Sequence, residues 1–141
     1  MNFNNIVFRS DPQNIDLVKK WLDMLAEKYN IDDKLYPSIL ISLTEAVNNA
    51  ILHGNKCDTN KKIKLFCIQK AHSLKFKVID EGEGFDEKNI PDPTEIDRVG
   101  CENGRGVHIM KSLAHKVKYH NQGSNVVITF KMSTGFNDHI Q

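Results

Sequence analysis

The feature that most constrains the fold is a helical pattern that ends in a polar stretch, residues 39–55. Apolar residues recur every three or four positions, so one face of this helix is expected in a core. Glu45 and Asn49 are one turn apart and project from the side next to the apolar stripe. Gly54 then ends the helix, as glycine often does just past a helical C-terminus. The stripe consists of Ile39, Leu40, Leu43, Ala46, Val47, Ala50 and Ile51.

Glu45 and Asn49 have complementary chemistry. An amide oxygen is a neutral, hard ligand that suits Mg²⁺, and a carboxylate can polarise a water or a hydroxyl group. A solvated polar face is the commoner explanation of such a pair, because charged side chains are usually exposed. Taken alone, the pair leaves both interpretations open.

Composition narrows the class of protein. A length of 141 residues favours a single domain, residues 1–141, with its own core. A net charge of +1 favours neither nucleic acid nor a membrane as a partner. No signal peptide is indicated, and no apolar run approaches the ~20 residues that cross a bilayer. Three cysteines without CxxC spacing argue against a disulfide framework or a zinc site. We therefore expect a cytoplasmic protein with reduced thiols.

The remaining periodicities predict a fold class. Strands are expected at residues 3–9, 61–70, 74–78, 117–119 and 126–130, and the second and third should form a hairpin. A first helix is expected from Ser10 to near Asn30. Ser10 followed by Gln13 three positions later is typical of a capped helix start. Residues 86–103 lack the apolar periodicity, which indicates a long functional loop. Residues 133–141 are expected to form a frayed tail. This order predicts an α+β, two-layer sandwich with helices on one face of a mostly antiparallel sheet.

A second polar motif follows the third strand, where Asp80 precedes Gly82, Gly84 and Phe85. A partly buried carboxylate that accepts a hydrogen bond from an exocyclic amino group selects adenine, because guanine offers a carbonyl there. Glycines without a Cβ allow the backbone to pass close to a planar base. Calcium loops and plain turns use the same spacing, so the motif alone is not decisive.

A third motif, Gly104-Arg105-Gly106, is expected to open a helix whose apolar face includes Val107, Met110, Leu113 and Ala114. Free N–H groups and the positive dipole end at a helix N-terminus suit phosphate. Arg105 adds a cation that could reach a terminal phosphate. The alternative is an ordinary helix start that its glycines make flexible and that binds no phosphate.

In this order, the three motifs resemble the N, G1 and G2 boxes of the GHKL (Bergerat-fold) ATP-binding superfamily. Residues 45–55, 80–85 and 104–110 are most similar to the anti-sigma factor serine/threonine kinases, and the likeness runs from about Phe3 to Met132. The resemblance implies a histidine kinase-like ATPase (HATPase_c) domain that binds ATP and Mg²⁺. Its ATP lid would be residues 86–103.

The resemblance also implies roles for individual residues. Glu45 matches the general base, Asn49 the Mg²⁺ ligand, and Asp80 the carboxylate that reads adenine. Thr129, on the final strand, is a weaker match to a residue that supports the adenine pocket. His53 matches a common family residue to which the sequence assigns no role. The remaining implied nucleotide contacts are Gly82, Gly84, Phe85, Gly104, Arg105, Gly106 and Val107.

By the same resemblance, the domain would hold a sigma factor inactive and phosphorylate a serine on an anti-anti-sigma (STAS-type) antagonist. The absence of an acidic residue near His115 and a glycine-poor lid depart from the family and leave the partner open. Relatives are often dimers, so a homodimer stays open. The alternatives are a non-catalytic ATP-binding switch module and a histidine-kinase-type ATPase domain standing alone. A sensor kinase or a gyrase-type conformational ATPase would need further segments.

Overall fold

The computed structural model describes residues 4–82, 102–120 and 124–132, with only the backbone described for residues 102–107. The strands and helices follow one another in the predicted order. The strands are β1 (Asn5–Arg9), β2 (Lys62–Lys70), β3 (Ser73–Ile79), β4 (Lys116–His120) and β5 (Asn125–Lys131), and the helices are α1 (Ile15–Tyr29), α2 (Tyr36–Asn49) and α3 (Glu102–Leu113).

Within these residues the five strands form one sheet in the order β1-β2-β3-β5-β4, and every neighbouring pair is antiparallel. Alternate strand residues face the helices, which is why the strands read as alternating apolar and polar sequences. Trp21 of α1 contacts Phe76 of β3 edge to face, with ring centroids 6.0 Å apart. The predicted α+β sandwich with helices on one face is confirmed. The inward side chains are Ile63, Leu65, Cys67, Leu74, Phe76, Val78, Val126, Ile128 and Phe130, and all are buried.

The entry into α1 differs in detail from the prediction. The capping residue is Asp11, whose carboxylate accepts a hydrogen bond of 3.0 Å from the Gln13 backbone N–H at the start of a 3₁₀ turn, Pro12–Asn14. Ser10 does not serve as the cap, because its buried hydroxyl has no hydrogen-bond partner among the described residues. At the other end, Asn30 adopts a left-handed φ of 53°. The predicted end of the helix near Asn30 is confirmed.

Two other helix boundaries also differ from the predicted ones. The α-helix α2 ends at Asn49 and continues as a π-helical turn, Ala50–Gly54, so Gly54 ends the whole helical run. Helix α3 begins at Glu102, which places Gly104 within its first turn and makes residues 102–103 helical instead of part of a lid. Leu113 is exposed on α3, whereas Met110 is buried as predicted.

Several predictions concern residues outside the described ranges. They are residues 86–101 of the proposed lid, Gly84 and Phe85 of the second motif, and the tail at 133–141. In the described part of the chain, no helix is both long enough and apolar enough to cross a membrane.

Candidate functional site

A cleft opens where the end of α2 meets the sheet, with about 460 Å³ of space between atoms, part of which is open solvent. Helix α2 and its π-helical turn form one wall, and β3, β4, β5 and α3 form the others. Most of the lining is apolar, and a few polar groups stand at the edges, as is usual for small-molecule sites. The lining residues are Ala46, Asn49, Ala50, His53, Gly54, Val78, Asp80, Met110, Tyr119 and Val126.

The structure brings Asn49 and Asp80 to this one cleft, although they are 31 positions apart in the sequence. Asn49 is the last residue of the α-helical part of α2 and is half-buried. Glu45 is also half-buried but does not line the cleft. It lies one turn before Asn49, about 6 Å back along the helix axis. His53, one turn after Asn49, is exposed and lines the cleft.

Asp80 is held in place by its own backbone and by a tight turn. Its N–H donates to the Ser124 carbonyl at 2.9 Å, and one carboxylate oxygen accepts from the Gly82 N–H at 2.7 Å. Burial raises the pKa of the Asp80 carboxyl above its usual range, while the Gly82 N–H and the charge of Lys61 act in the opposite direction. A fixed, partly desolvated carboxylate of this kind can discriminate strongly between hydrogen-bond donors and acceptors on a ligand.

Gly54 and Gly82 are required by close packing around Asp80. A Cβ on Gly54 would lie 2.8 Å from the Asp80 Oδ1 atom, and a Cβ on Gly82 would lie 2.9 Å from the Gly54 Cα atom and overlap the Gly54 carbonyl group. Both separations fall below the 3.0 Å that Cβ atoms essentially never cross. The close approach at Gly82 is therefore to the backbone of the π-helical turn, whereas the sequence suggested an approach to a planar base.

Asn55 is a positioning residue that the sequence reasoning missed. Its side chain is fully buried, donates to the Lys62 carbonyl at 3.1 Å and accepts from the Glu81 N–H at 2.8 Å. It thereby ties the end of the helical run to the start of β2 and to the turn that carries Asp80. The available signal was a polar residue directly after Gly54 and before a polar loop, but its partners are distant in sequence.

Other predicted residues lie elsewhere or are described only in part. Thr129 lines a separate groove with Lys75, Lys116 and Lys131. Because Ile128 and its alternate neighbours face the helices, Thr129 points to the opposite side of the sheet. The structure therefore does not bring Thr129 to the cleft, and its support of the adenine pocket stays a prediction. For Gly104, Arg105, Gly106 and Val107 the structure gives only the backbone, in the first two turns of α3.

These observations define a class of protein: a small α+β ligand-binding domain with an apolar cleft edged by one carboxylate and one carboxamide. Residues 8–131 match the family described as the histidine kinase-like ATPase domain. The chain therefore belongs to that family, and the GHKL resemblance of the three motifs is confirmed.

Comparison with known proteins gives two further findings. Over 132 residues the chain is 24% identical to the serine-protein kinase RsbW of Bacillus subtilis (strain 168), a match that covers 89% of this chain and 82% of that protein. The histidine kinase AdeS of Acinetobacter baumannii is similar in structure, with a TM-score of 0.49 and 20% identity. That alignment covers 95% of this chain and 69% of the AdeS chain.

Proposed function

We propose that this chain is a serine/threonine protein kinase and anti-sigma regulatory factor. In this proposal it binds ATP with Mg²⁺ and phosphorylates a serine on an anti-anti-sigma antagonist. The observation that carries the proposal is the convergence of Asn49 and Asp80 on one apolar cleft. The similarity to a serine-protein kinase supports serine as the acceptor. The proposed partners are a sigma factor and a STAS-type antagonist in the cytoplasm, and a second copy of the chain is a further candidate.

The side chains of the cleft fit an adenine nucleotide. Asp80 would accept a hydrogen bond from the exocyclic amino group, and Val78, Met110 and Val126 would supply apolar contacts for the base. The described residues contain no group of three acidic, histidine or cysteine side chains that could hold an ion by themselves. Asn49 would therefore share Mg²⁺ with phosphate oxygens and water, which is how this ion is usually bound.

Phosphoryl transfer requires positioning and charge stabilisation more than covalent chemistry. The acceptor hydroxyl forms a bond to the γ-phosphorus, the bond to the leaving ADP breaks, and Glu45 would accept the hydroxyl proton. The first turn of α3, which includes Gly104, has free backbone N–H groups and a positive dipole end suited to the phosphates. We also propose a phosphate contact for Arg105 and a lid at residues 86–101, since residues 102–103 belong to α3.

The experiment that tests this function uses ATP labelled at the γ-phosphate, Mg²⁺ and a candidate antagonist encoded beside this chain. We expect label on a serine of the antagonist, identified by acid hydrolysis and by mass spectrometry. Label on a histidine, or release of phosphate without any acceptor, would contradict the proposed kinase.

A non-catalytic ATP-binding switch is the second candidate function. The observation that favours it is that Glu45 is not among the residues that line the cleft. In this alternative the nucleotide would bind at Asn49 and Asp80 and no phosphate would be transferred. The two functions therefore agree on the nucleotide site and differ on the role of Glu45.

Replacement of Asp80 separates nucleotide binding from folding. We expect Asp80→Asn to weaken ATP binding by about 10- to 100-fold, because a hydrogen bond to a charged group contributes roughly 1.5–3 kcal/mol. Burial disfavours the charged carboxyl, so Asp80 lowers stability at pH values above its raised pKa. A neutral amide removes that cost, and the thermal midpoint at neutral pH should not fall.

Titration calorimetry and thermal denaturation measure the two effects on the same samples. The matched control is Asp16→Asn, which changes an exposed carboxylate on α1 and should leave ATP affinity as it is in the native chain. Native affinity in Asp80→Asn would exclude the role of this carboxylate in reading adenine.

A further inference from the structure

The five strands carry basic residues and no acidic ones. None of their residues is Asp or Glu, although the chain has 18 acidic and 19 basic residues. Nine of the basic residues lie on these strands, and all nine occupy positions that alternate with the buried ones, so they point away from the helices. We call this surface the basic face. Its charged residues are Arg9, Lys62, Lys64, Lys70, Lys75, Lys77, Lys116, Lys118 and Lys131.

Uncharged side chains, most of them apolar, separate the lysines in regular rows across the basic face. One row runs from Phe66 through Lys77 and Val127 to Lys118. The next row runs from Ile68, which is 40% exposed, through Lys75 and Thr129 to Lys116. Repulsion among these positive charges destabilises the folded chain, and a negatively charged partner would relieve that repulsion. Because apolar groups alternate with the cations, the surface suits a partner that supplies both negative charge and apolar contacts.

One end of the basic face contains a groove, which we call the end groove. Lys75, Lys116 and Lys131 surround Thr129 there, with His72 and His115 at the margins. The end groove lies beside the first residue of β3, whereas the proposed nucleotide cleft lies at the other end of β3, at Val78 and Asp80, and on the other face of the sheet. Glu81, whose carboxylate accepts from the Lys62 N–H at 2.6 Å, is at the far end of β3 from the end groove. A ligand in the end groove would thus leave the nucleotide cleft open.

We propose that the basic face docks an acidic protein surface, with a carboxylate side chain of that partner in the end groove. A second copy of this chain would place lysines against lysines. Single-stranded nucleic acid is bound through several stacked aromatic rings, and Phe66 is the one Phe, Tyr or Trp side chain that points outward from the described strands. Aliphatic side chains interleaved with lysines match the apolar core and charged rim of a protein interface.

The test uses poly-L-glutamate as the probe and the full chain in low salt, with binding followed by fluorescence anisotropy. We expect the triple variant K75E/K116E/K131E to lose about tenfold or more in affinity, because three attractive pairs become repulsive. The control K20E/K34E/K56E makes the same change in net charge at exposed positions outside the strands and should lose less than about threefold. ATP affinity should be native in both.

The variant K75Q/K116Q/K131Q repeats the measurement with a milder change if charge reversal perturbs folding, and a loss larger than that of K20Q/K34Q/K56Q is expected. An equal loss in the test and control variants would overturn the proposal, because net charge alone would then explain binding. Tighter binding of a 20-base-pair DNA or of phosphatidylserine vesicles would assign the face to another class of partner. A native dimer that dissociates in the lysine variants would assign it to self-association.

Discussion

We expect the Glu45→Ala variant to bind Mg²⁺ and ATP as the native chain does and to transfer phosphate about 10²- to 10⁴-fold more slowly. General base catalysis contributes a factor of this size. Affinity should persist because Glu45 does not line the cleft, whereas Asn49 and Asp80 do. The carboxylate lies one helical turn from Asn49, where it could accept a proton from a hydroxyl aligned with the terminal phosphate.

Single-turnover transfer of labelled phosphate to the antagonist measures this effect, and titration calorimetry measures ATP affinity on the same protein. Glu27→Ala is the matched control, because Glu27 is an exposed carboxylate on α1, a helix that contributes no residue to the cleft lining. Its transfer rate should be native. If Glu45→Ala transferred phosphate at the native rate, Glu45 would not be the base. If neither the native chain nor the variant transferred phosphate while both bound ATP, the non-catalytic switch would be favoured.

We expect Gly82→Ala to lower the free energy of unfolding by about 3 kcal/mol, the upper part of the range for an overpacked site. The added methyl group would overlap the backbone of Gly54, which belongs to a hydrogen-bonded π-helical turn and cannot rotate away as a side chain would. For a chain of this size the thermal midpoint should fall by roughly 6–12 °C. Urea denaturation and thermal melting followed by circular dichroism measure both quantities.

Gly54→Ala is the informative comparison. Its added methyl group would meet the Asp80 carboxylate instead of a backbone, and a side chain can move. We expect a smaller loss of stability there and a clear loss of ATP affinity, because Asp80 would be displaced. A native unfolding midpoint for Gly82→Ala would show that the turn relaxes without cost, and the packing explanation of these glycines would then be wrong.

The sequence was sufficient for those parts of the molecule in which local periodicity decides structure. Alternation in the β2–β3 hairpin and in β5 identified the inward side chains, and the helical stripe from Ile39 to Ile51 identified the buried face of α2 and its π-helical turn. Both are consequences of fixed side-chain periods. The same rule places Thr129 on the outward side once Ile128 points inward, so its separation from the cleft could have been predicted from the sequence.

The parts that could not be predicted depend on contacts between distant segments. Asn55 forms hydrogen bonds with the backbone of Lys62 and Glu81, and no local sequence pattern predicts these partners. The π-helical turn is likewise set by tertiary packing, since it places Gly54 against Asp80 and Gly82. A glycine motif read along the chain could not distinguish approach to a ligand from approach to another segment of backbone.

The most direct test of the central claim is a crystal structure with Mg²⁺ and a non-hydrolysable ATP analogue. We predict the adenine amino group within hydrogen-bond distance of the Asp80 carboxylate and Mg²⁺ on the Asn49 amide oxygen. A nucleotide bound elsewhere, for example with its phosphates in the end groove at Lys75, Lys116 and Lys131, would contradict the account.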